Sequence, residues 1–435
     1  MTAGLPYRSG HRIRLAVTHR TSALVLLGAI LFVANGGLFR MGEVNGVVWL
    51  LLTTAVGGLA LRDVRAAVAA CRAGWVAFLL PVVLLVTTVW SVTPAATLSE
   101  AAKMLVTVAI CCVVWSRLGA RMVMVALFWS MSVAVGLSLL NLLVVFFPPV
   151  FEVNGAFLGI FAQKTQVARA AVWLAFSAVA LSGSRAGPLL IAIVVGVALF
   201  PVAVMAKSAT GMVGFGFAAV LAGALVLLRL PGPLRLALPV LAVLGVTTIG
   251  AIYVATGAAP LAGLLSLAGK SQTLTGRTDL WDIGLAVWRD SPLVGLGYGG
   301  FWNGVTFAAE RAVIEAQVDD GLNGFHNGIV ELLVGSGVVG TAVWAVVVVW
   351  AAARLLPEAL VRRSIDATVW LVVLLALVVM ALFETSLFAP RSLNLMLMTF
   401  ALLEASAVRQ RGVRGSGRGV RSASGTVARG RRSIR

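Results

Sequence analysis

The sequence predicts an all-α polytopic membrane protein, with about twelve transmembrane helices and a large extracytoplasmic loop. The 435 residues are 60% hydrophobic and only 11% charged, and the mean hydropathy is +1.01. Apolar runs of about 17 to 25 residues, long enough to cross a bilayer as a helix, recur along the chain. They lack the alternating apolar and polar residues of a membrane β-barrel, so we predict helical spans.

These runs divide the chain into five predicted regions. A basic cytosolic N-terminus covers 1–20, nine spans fill 21–255, and an extracytoplasmic catalytic loop covers 256–325. Three further spans fill 326–406, and a disordered basic cytosolic tail covers 407–435. The predicted spans begin near Ala23, Val44, Gly74, Ala101, Met122, Val167, Gly187, Met212, Leu234, Gly328, Thr368 and Ser392.

The formal net charge of +18 is concentrated at the two termini. Four arginines precede the first span, and nine follow the last one between Arg409 and Arg435, with no acidic residue among them. A tail rich in Gly, Ser and Arg cannot bury a core. The positive-inside rule and anionic lipid headgroups account for this charge, so we expect a lipid bilayer and no nucleic acid as partner.

The arginines between the spans orient the protein. They fall in four connections on the side of the termini, for example at Arg62 and Arg65, and again at Arg362 and Arg363. The positive-inside rule makes this the cytosolic side. The segment 256–325 then faces outward from a cell or inner membrane, and we expect the active site there.

This external segment contains seven of the sixteen acidic residues and two predicted helices. The first, Thr278 to Trp288, has apolar residues at helical spacing, and the second covers about Val305 to Val318. The glycine-rich stretch Pro292 to Gly300 follows no strand, so we interpret it as a tight turn near the membrane and not as a dinucleotide loop. Asp319 and Asp320 lack the carboxylate series of a calcium loop.

His326 is the strongest candidate for a chemical role. It ends the hydrophilic stretch and, with Asn327, opens directly into an apolar helix, which places it at a membrane surface. Histidine can accept and return a proton near neutral pH. The three cysteines have neither a disulfide pattern nor metal-ligand spacing, so we predict no metal and no cofactor.

Three basic residues each have two possible roles. Arg277 begins a predicted helix, where it could hold a phosphate or pair with a nearby aspartate. Arg185 could anchor the chain at the membrane interface or bind a diphosphate, and Lys164 has the same two possibilities. Spacing alone does not decide between them.

Glu384 lies between apolar residues of a predicted membrane segment. A carboxylate is costly there, so Glu384 is a functional-site candidate, and we expect it to pair with a basic group such as Arg391.

Several of these motifs together resemble the O-antigen ligase and polymerase family. They are Thr275 to Trp281, the Pro292 to Gly300 turn, and His326-Asn327 followed by Gly337 to Gly340. Ser182 to Arg185 looks like a serine-arginine motif of that family, and Gly159 to Thr165 is similar to a lysine motif of its exopolysaccharide polymerases. The resemblance extends from about Gly155 to Phe388.

The resemblance implies a metal-independent glycosyltransferase with a GT-C-like fold. Its donor would be a glycan on polyprenyl diphosphate, and its acceptor another glycan or glycolipid at the extracytoplasmic face. His326 would act as the general base, with Asn327 and Glu384 in support. Arg277, Arg185 and Lys164 would bind the diphosphate, because a leaving group of that charge needs fixed positive charge.

The charge count and the family disagree on Arg185. About twenty residues separate Lys164 from Arg185, which suffices for one short span and puts Arg185 on the cytosolic side. The family puts the equivalent arginine outside, which would require the stretch from Val167 to Ser182 to be re-entrant.

Other functions remain open at this stage. A transporter or flippase for lipid-linked sugars would also have about twelve helices and basic residues that face a diphosphate. A protein O-oligosaccharyltransferase, a ligase and a polymerase would share the same chemistry.

Overall fold

The computed structural model describes residues 9–37, 39–230, 277–317 and 324–408. The regular structure in these ranges is helical, apart from an isolated bridge between Phe151 and Phe157. The helices are α1 Ser9–Ala34, α2 Glu43–Arg62, α3 Val64–Ala73, α4 Leu79–Val86, α5 Pro94–Leu143, α6 Lys164–Ser182, α7 Ala186–Met205, α8 Ala209–Leu227, α9 Arg277–Asp290, α10 Ala308–Gln317, α11 Gly328–Leu360, α12 Ile365–Ala381 and α13 Leu393–Val408.

Six helices in the described ranges are long and apolar enough to cross a membrane, namely α2, α5, α6, α7, α8 and α11. The bent pair formed by Val64–Ala73 and Trp75–Val89 raises this number to seven if it counts as one span. Arg20–Ala34, Ile365–Ala381 and Leu393–Val408 are apolar but shorter. The helical membrane class is therefore confirmed. The predicted number of about twelve spans is not confirmed, and the span near Leu234 lies outside the described residues.

Helix α5 contains two arms that meet at Gly119. This glycine has φ 73° and ψ 177°, which no helix accommodates. In a straight helix, Thr107 and Asn141 would be about 50 Å apart. The Thr107 hydroxyl instead accepts from the Arg391 amide, while the Asn141 side chain donates to the Gly159 carbonyl. Both partners lie in segments close to one end of α6, so the chain turns back at Gly119.

Helix α6 is the central helix of the bundle. In its most apolar stretch 72% of the residues are buried, against 17% in α2. It is continuous from Lys164 to Ser182, so this segment is not re-entrant. We call the end where α6 and α11 begin the His326 end. The other, where α6 stops and Gly183 approaches Ile365, is the Arg185 end.

Helix α11 is broken at Gly337, and the glycine-rich turn fills the break. Gly337 has φ 62° and ψ −165° inside the helix. The backbone amides of Val338 and Val339 donate to the carbonyls of Pro292 (2.9 Å) and Leu293 (3.1 Å) instead of continuing the helix. Unpaired backbone groups are costly in a membrane. The loop removes this cost because it supplies hydrogen-bond partners to the amides at the break.

The same turn also contacts the beginning of α5. The Tyr298 amide donates to the Thr87 hydroxyl (3.0 Å), and the Thr97 hydroxyl donates to the Tyr298 carbonyl (2.8 Å). The Val92 amide donates to the Leu296 carbonyl (3.0 Å). The turn is therefore wedged between two helices, in agreement with the predicted tight turn near the membrane.

Gly337→Ala should destabilise the protein by roughly 2 kcal/mol or more, because φ is positive there and a Cβ would clash with backbone. That Cβ would lie 2.2 Å from the Leu293 carbonyl oxygen. The measurement is the midpoint of thermal unfolding in detergent. Gly46→Ala is the control, since Gly46 is helical and a Cβ added there would meet no neighbouring atom within 4 Å. Equal midpoints for the two variants would contradict the role of the break.

Candidate functional site

The turn before α11 holds His326 through the backbone of its neighbour. The Phe325 amide donates to the Glu331 carboxylate (3.1 Å), and the Phe325 carbonyl accepts from the Trp281 indole (3.0 Å). The Phe325 ring is fully buried against Phe301 and Trp302. His326 itself is partly buried and has φ 50°, a conformation that few non-glycine residues adopt. The backbone that leads into His326 is therefore held by hydrogen bonds at both the amide and the carbonyl of Phe325.

Asn327 caps the first turn of α11. Its side-chain oxygen accepts from the amides of Ile329 (2.9 Å) and Val330 (3.3 Å). An N-cap of this kind satisfies amides that have no partner within the helix. The supporting function predicted for Asn327 thus has a concrete structural counterpart, while a direct part in chemistry stays a prediction.

Helix α9 begins at Arg277 and packs against the His326 turn. Gly284, two turns along this helix, lies so close that a Cβ would be 2.7 Å from Val330 and 2.9 Å from Phe325. Trp281 lies four residues after Arg277 and reaches the Phe325 carbonyl. The Arg277 backbone is therefore one helical turn from a direct contact with the segment that holds His326.

The segment 382–392, which follows α12, borders the same turn. A Cβ added to Gly324 would lie 2.8 Å from the Thr385 side chain. A Cβ added to Gly328 would lie 2.5 Å from the Phe388 ring. The Tyr298 hydroxyl donates to the Phe388 carbonyl. Burial raises the pKa of Tyr298 well above its ordinary value, so this hydroxyl keeps its proton and stays a donor. The glycine-rich turn and the His326 turn therefore share one neighbour.

Glu384 pairs with a basic group, as expected, but the partner is Arg169 and not Arg391. Arg169 Nη1 lies 3.4 Å from Glu384 Oε2, and the two side chains are only 10% and 11% exposed. Arg169 Nε also donates to the Asn35 side chain (2.9 Å). The Arg391 guanidinium lies over the Trp49 ring instead. Arg169 is favoured because it lies inside the bundle, where a carboxylate needs a buried cation.

Lys164 lies at the His326 end and forms its own ion pair. Its Nζ is 2.9 Å from Glu152 Oε2, and both side chains are about one-third exposed. Lys164 therefore has a carboxylate partner, and its role as an interfacial anchor or as a diphosphate ligand stays a prediction.

Arg185 lies at the opposite end of α6. It is exposed at the N-cap position of α7, and Gly183 beside it approaches Ile365 at the start of α12. The structure brings His326, Asn327, Glu384, Lys164 and the start of α9 to one end, and Arg185 is not among them. This agrees with the charge count rather than with the family arrangement. The described residues contain no group of three or more potential metal ligands.

Three contributors to the site are missing from the sequence prediction, namely Arg169, Glu331 and Trp281. Arg169 is a charge within an apolar span, and the rule that singled out Glu384 applies to it equally. Glu331, in the first turn of α11, is likewise a charged residue within an apolar span. Nothing in the sequence indicates the Trp281 contact, because it depends on how α9 packs against the turn.

The buried ion pair and the apolar helices define a helical multi-pass membrane protein. Residues 196–345 match the family model described as Wzy_C: O-Antigen ligase. The Exopolysaccharide production protein ExoQ of Rhizobium meliloti (strain 1021) is 33% identical over 173 residues. That match covers 38% of this chain and 38% of the relative, so well under two thirds of the relative is spanned.

These two matches confirm the predicted resemblance to the O-antigen ligase and polymerase family, and each covers less than half of the chain. The family model includes Arg277, His326 and the break at Gly337. Lys164, Arg185 and Glu384 lie outside the matched residues.

Glu384→Leu should lower the stability by about 3–5 kcal/mol, because it leaves the buried Arg169 charge without its carboxylate. The measurement is thermal unfolding of the purified protein in detergent. Glu152→Leu is the matched control, since it removes the carboxylate of a more exposed pair and should cost about 1 kcal/mol or less. A similar loss of stability in both variants would show that the buried pair of Arg169 and Glu384 stabilises the protein no more than the exposed pair does.

Proposed function

We propose that this protein is a membrane glycosyltransferase that joins a polyprenyl-diphosphate-linked glycan to an acceptor sugar. The reaction takes place at the His326 end, which faces the extracytoplasmic side. The observation that carries the proposal is the rigid attachment of the His326 turn to α9, because it brings two motifs of the matched family onto one surface.

The sidedness follows from the charges at the two ends. Connections at the Arg185 end contain Arg62, Arg65, Arg185, Arg362 and Arg363, all exposed or partly exposed. Segments that are rich in arginine and short stay in the cytosol. The His326 end is then extracytoplasmic, where nucleotide sugars and ATP are absent and the donor must arrive already activated.

In the proposed reaction, a hydroxyl oxygen of the acceptor sugar attacks the anomeric carbon of the donor. The imidazole of His326 takes the hydroxyl proton as the new glycosidic bond forms. The bond between the anomeric carbon and the diphosphate oxygen breaks, and the lipid diphosphate departs with its electron pair. Direct displacement inverts the anomeric configuration.

Arg277 compensates the negative charge of the departing diphosphate. It stands at the N-terminus of α9, where the helix dipole also favours an anion. Lys164 adds positive charge at the same end. We assign Arg185 no part in this step because it lies at the other end of α6. The reaction needs no metal, since charge compensation comes from these side chains.

His326→Ala should lower the turnover of the purified enzyme by a factor of about 10² to 10⁴, the usual worth of a general base. Binding of the lipid-diphosphate donor should persist, because Arg277 and Lys164 remain. Arg277→Lys, which keeps the charge but loses the bidentate fork, should retain more activity than Arg277→Ala. The assay measures glycan transfer from a lipid-linked donor, with donor binding measured separately.

A His326→Ala enzyme with unchanged turnover would contradict the proposed base. Loss of wild-type activity upon chelation, with recovery after addition of a divalent metal, would contradict the metal-independent reaction. Vectorial movement of the lipid-linked sugar across the bilayer, without any transfer product, would favour a flippase instead.

Trp281→Phe should lower kcat up to about tenfold, because it removes the indole donor that holds the Phe325 carbonyl. The change leaves an aromatic ring in place, and the KM for the donor should stay within about twofold. Trp288→Phe is the matched control on the same helix: its indole donates to the Pro292 carbonyl at 3.0 Å, away from the His326 turn. Equal kcat values for the two variants would show that the Trp281 contact of α9 does not position His326.

A further inference from the structure

A large apolar cavity of the described bundle lies far from His326, beside α3 at the Arg185 end. Helix α3 has no buried residue, although its sequence is strongly amphipathic. The helical run Trp75–Val89 that follows is bent away from α3 by 77°. An amphipathic helix that turns sharply from a membrane span is typical of a helix that lies in the interface plane.

The apolar face of α3 is only partly covered by protein: Ala67 and Cys71 pack against the core of the bundle, whereas Val64 and Val68 are 52% and 43% exposed. Val64, Ala67, Val68 and Cys71 recur at the spacing of one helix face. They line a groove with a volume of about 850 Å³ between α2 and the Trp75–Phe78 turn. The walls on the α2 side are Gly57, Ala60 and Leu61. An exposed apolar surface of this size is typical of a ligand-binding groove or a membrane-interaction site.

Two arginines lie on one side of α3, next to its apolar face. Arg65 and Arg72 are seven residues apart, which places them about 10 Å apart along the helix axis. Both side chains are exposed, and Arg72 also lines the groove. Asp63, the acidic residue nearest to them in sequence, caps α3 through a bond from the Ala66 amide (3.0 Å). The rim of the groove is therefore cationic and its interior is apolar.

We propose that this groove is a binding site for an anionic phospholipid. The phosphate lies between Arg65 and Arg72, and an acyl chain fills the space under Val64, Ala67 and Val68. Trp75, which lines the groove and is 59% exposed, marks the level of the headgroups, where tryptophan is enriched. A free phosphate would satisfy the arginines but would leave the apolar walls uncovered.

The site is independent of the proposed transferase reaction and can be tested without it. The purified full chain in detergent is incubated with phosphatidylglycerol or with phosphatidylcholine of the same acyl chains, and bound lipid is counted by native mass spectrometry. We expect phosphatidylglycerol to be retained about thirtyfold more, because two basic side chains near an anionic lipid contribute about 1 kcal/mol each. The double substitution Arg65→Gln and Arg72→Gln should reduce retention to the level of phosphatidylcholine.

Two matched controls separate the groove from the general charge of this end. Arg362→Gln with Arg363→Gln removes two arginines from the turn between α11 and α12 and should leave the preference intact. Ala67→Trp fills the groove and should lower the binding of both lipids, whereas Ala66→Trp, on the exposed side of the same helix, should not. The proposal is overturned if wild type shows no preference for phosphatidylglycerol. It is also overturned if the Arg362/Arg363 variant loses the preference equally, or if Ala67→Trp binds lipid like Ala66→Trp.

Discussion

A helix that breaks inside a membrane leaves backbone groups without partners, and this constraint organises the His326 end. At Gly337, α11 releases the amides of Val338 and Val339, and no water is present in the bilayer core to bind them. The turn between α9 and α10 supplies the missing carbonyls from Pro292 and Leu293. In return, the Leu296 amide donates to the Val334 carbonyl (2.8 Å). The external loop is thus bonded to the span itself.

From this break the order extends to the site in two steps. Because the turn at Pro292 is fixed, the end of α9 just before it is fixed as well through the backbone, where the Ser291 amide donates to the Trp288 carbonyl (3.0 Å). One and two helical turns earlier in α9, Gly284 and Trp281 then meet the ring and the backbone of Phe325. A substitution at Gly337 would therefore shift the backbone at His326, although the two residues are eleven positions apart in the sequence.

The sequence predicted the local features of this arrangement because each has a local cause. Helix α9 is visible from apolar spacing, and the start of α11 at Gly328 is visible from the change in hydropathy after Asn327. The pairing of Glu384 was not predictable in the same way. Arg391 is near in sequence, but Arg169 is brought to Glu384 by the packing of α6 against the segment after α12. Distant contacts of this kind depend on the tertiary arrangement, which spacing along the chain does not record.

Three other cations at the His326 end already have partners within the protein, and this bears on the role proposed for Arg277. Arg169 is held by Asn35 and Glu384, Lys164 by Glu152, and Arg311 by the carbonyls of Phe301 and Gly304. A diphosphate would have to compete with these internal partners for each of the three. Competition is most costly at Arg169, because displacing a buried carboxylate leaves it uncompensated. A cation at the N-terminus of a helix faces no such cost from the helix itself, since the free amides there attract the same anion. This difference supports the proposal that the start of α9 compensates the charge of the leaving group.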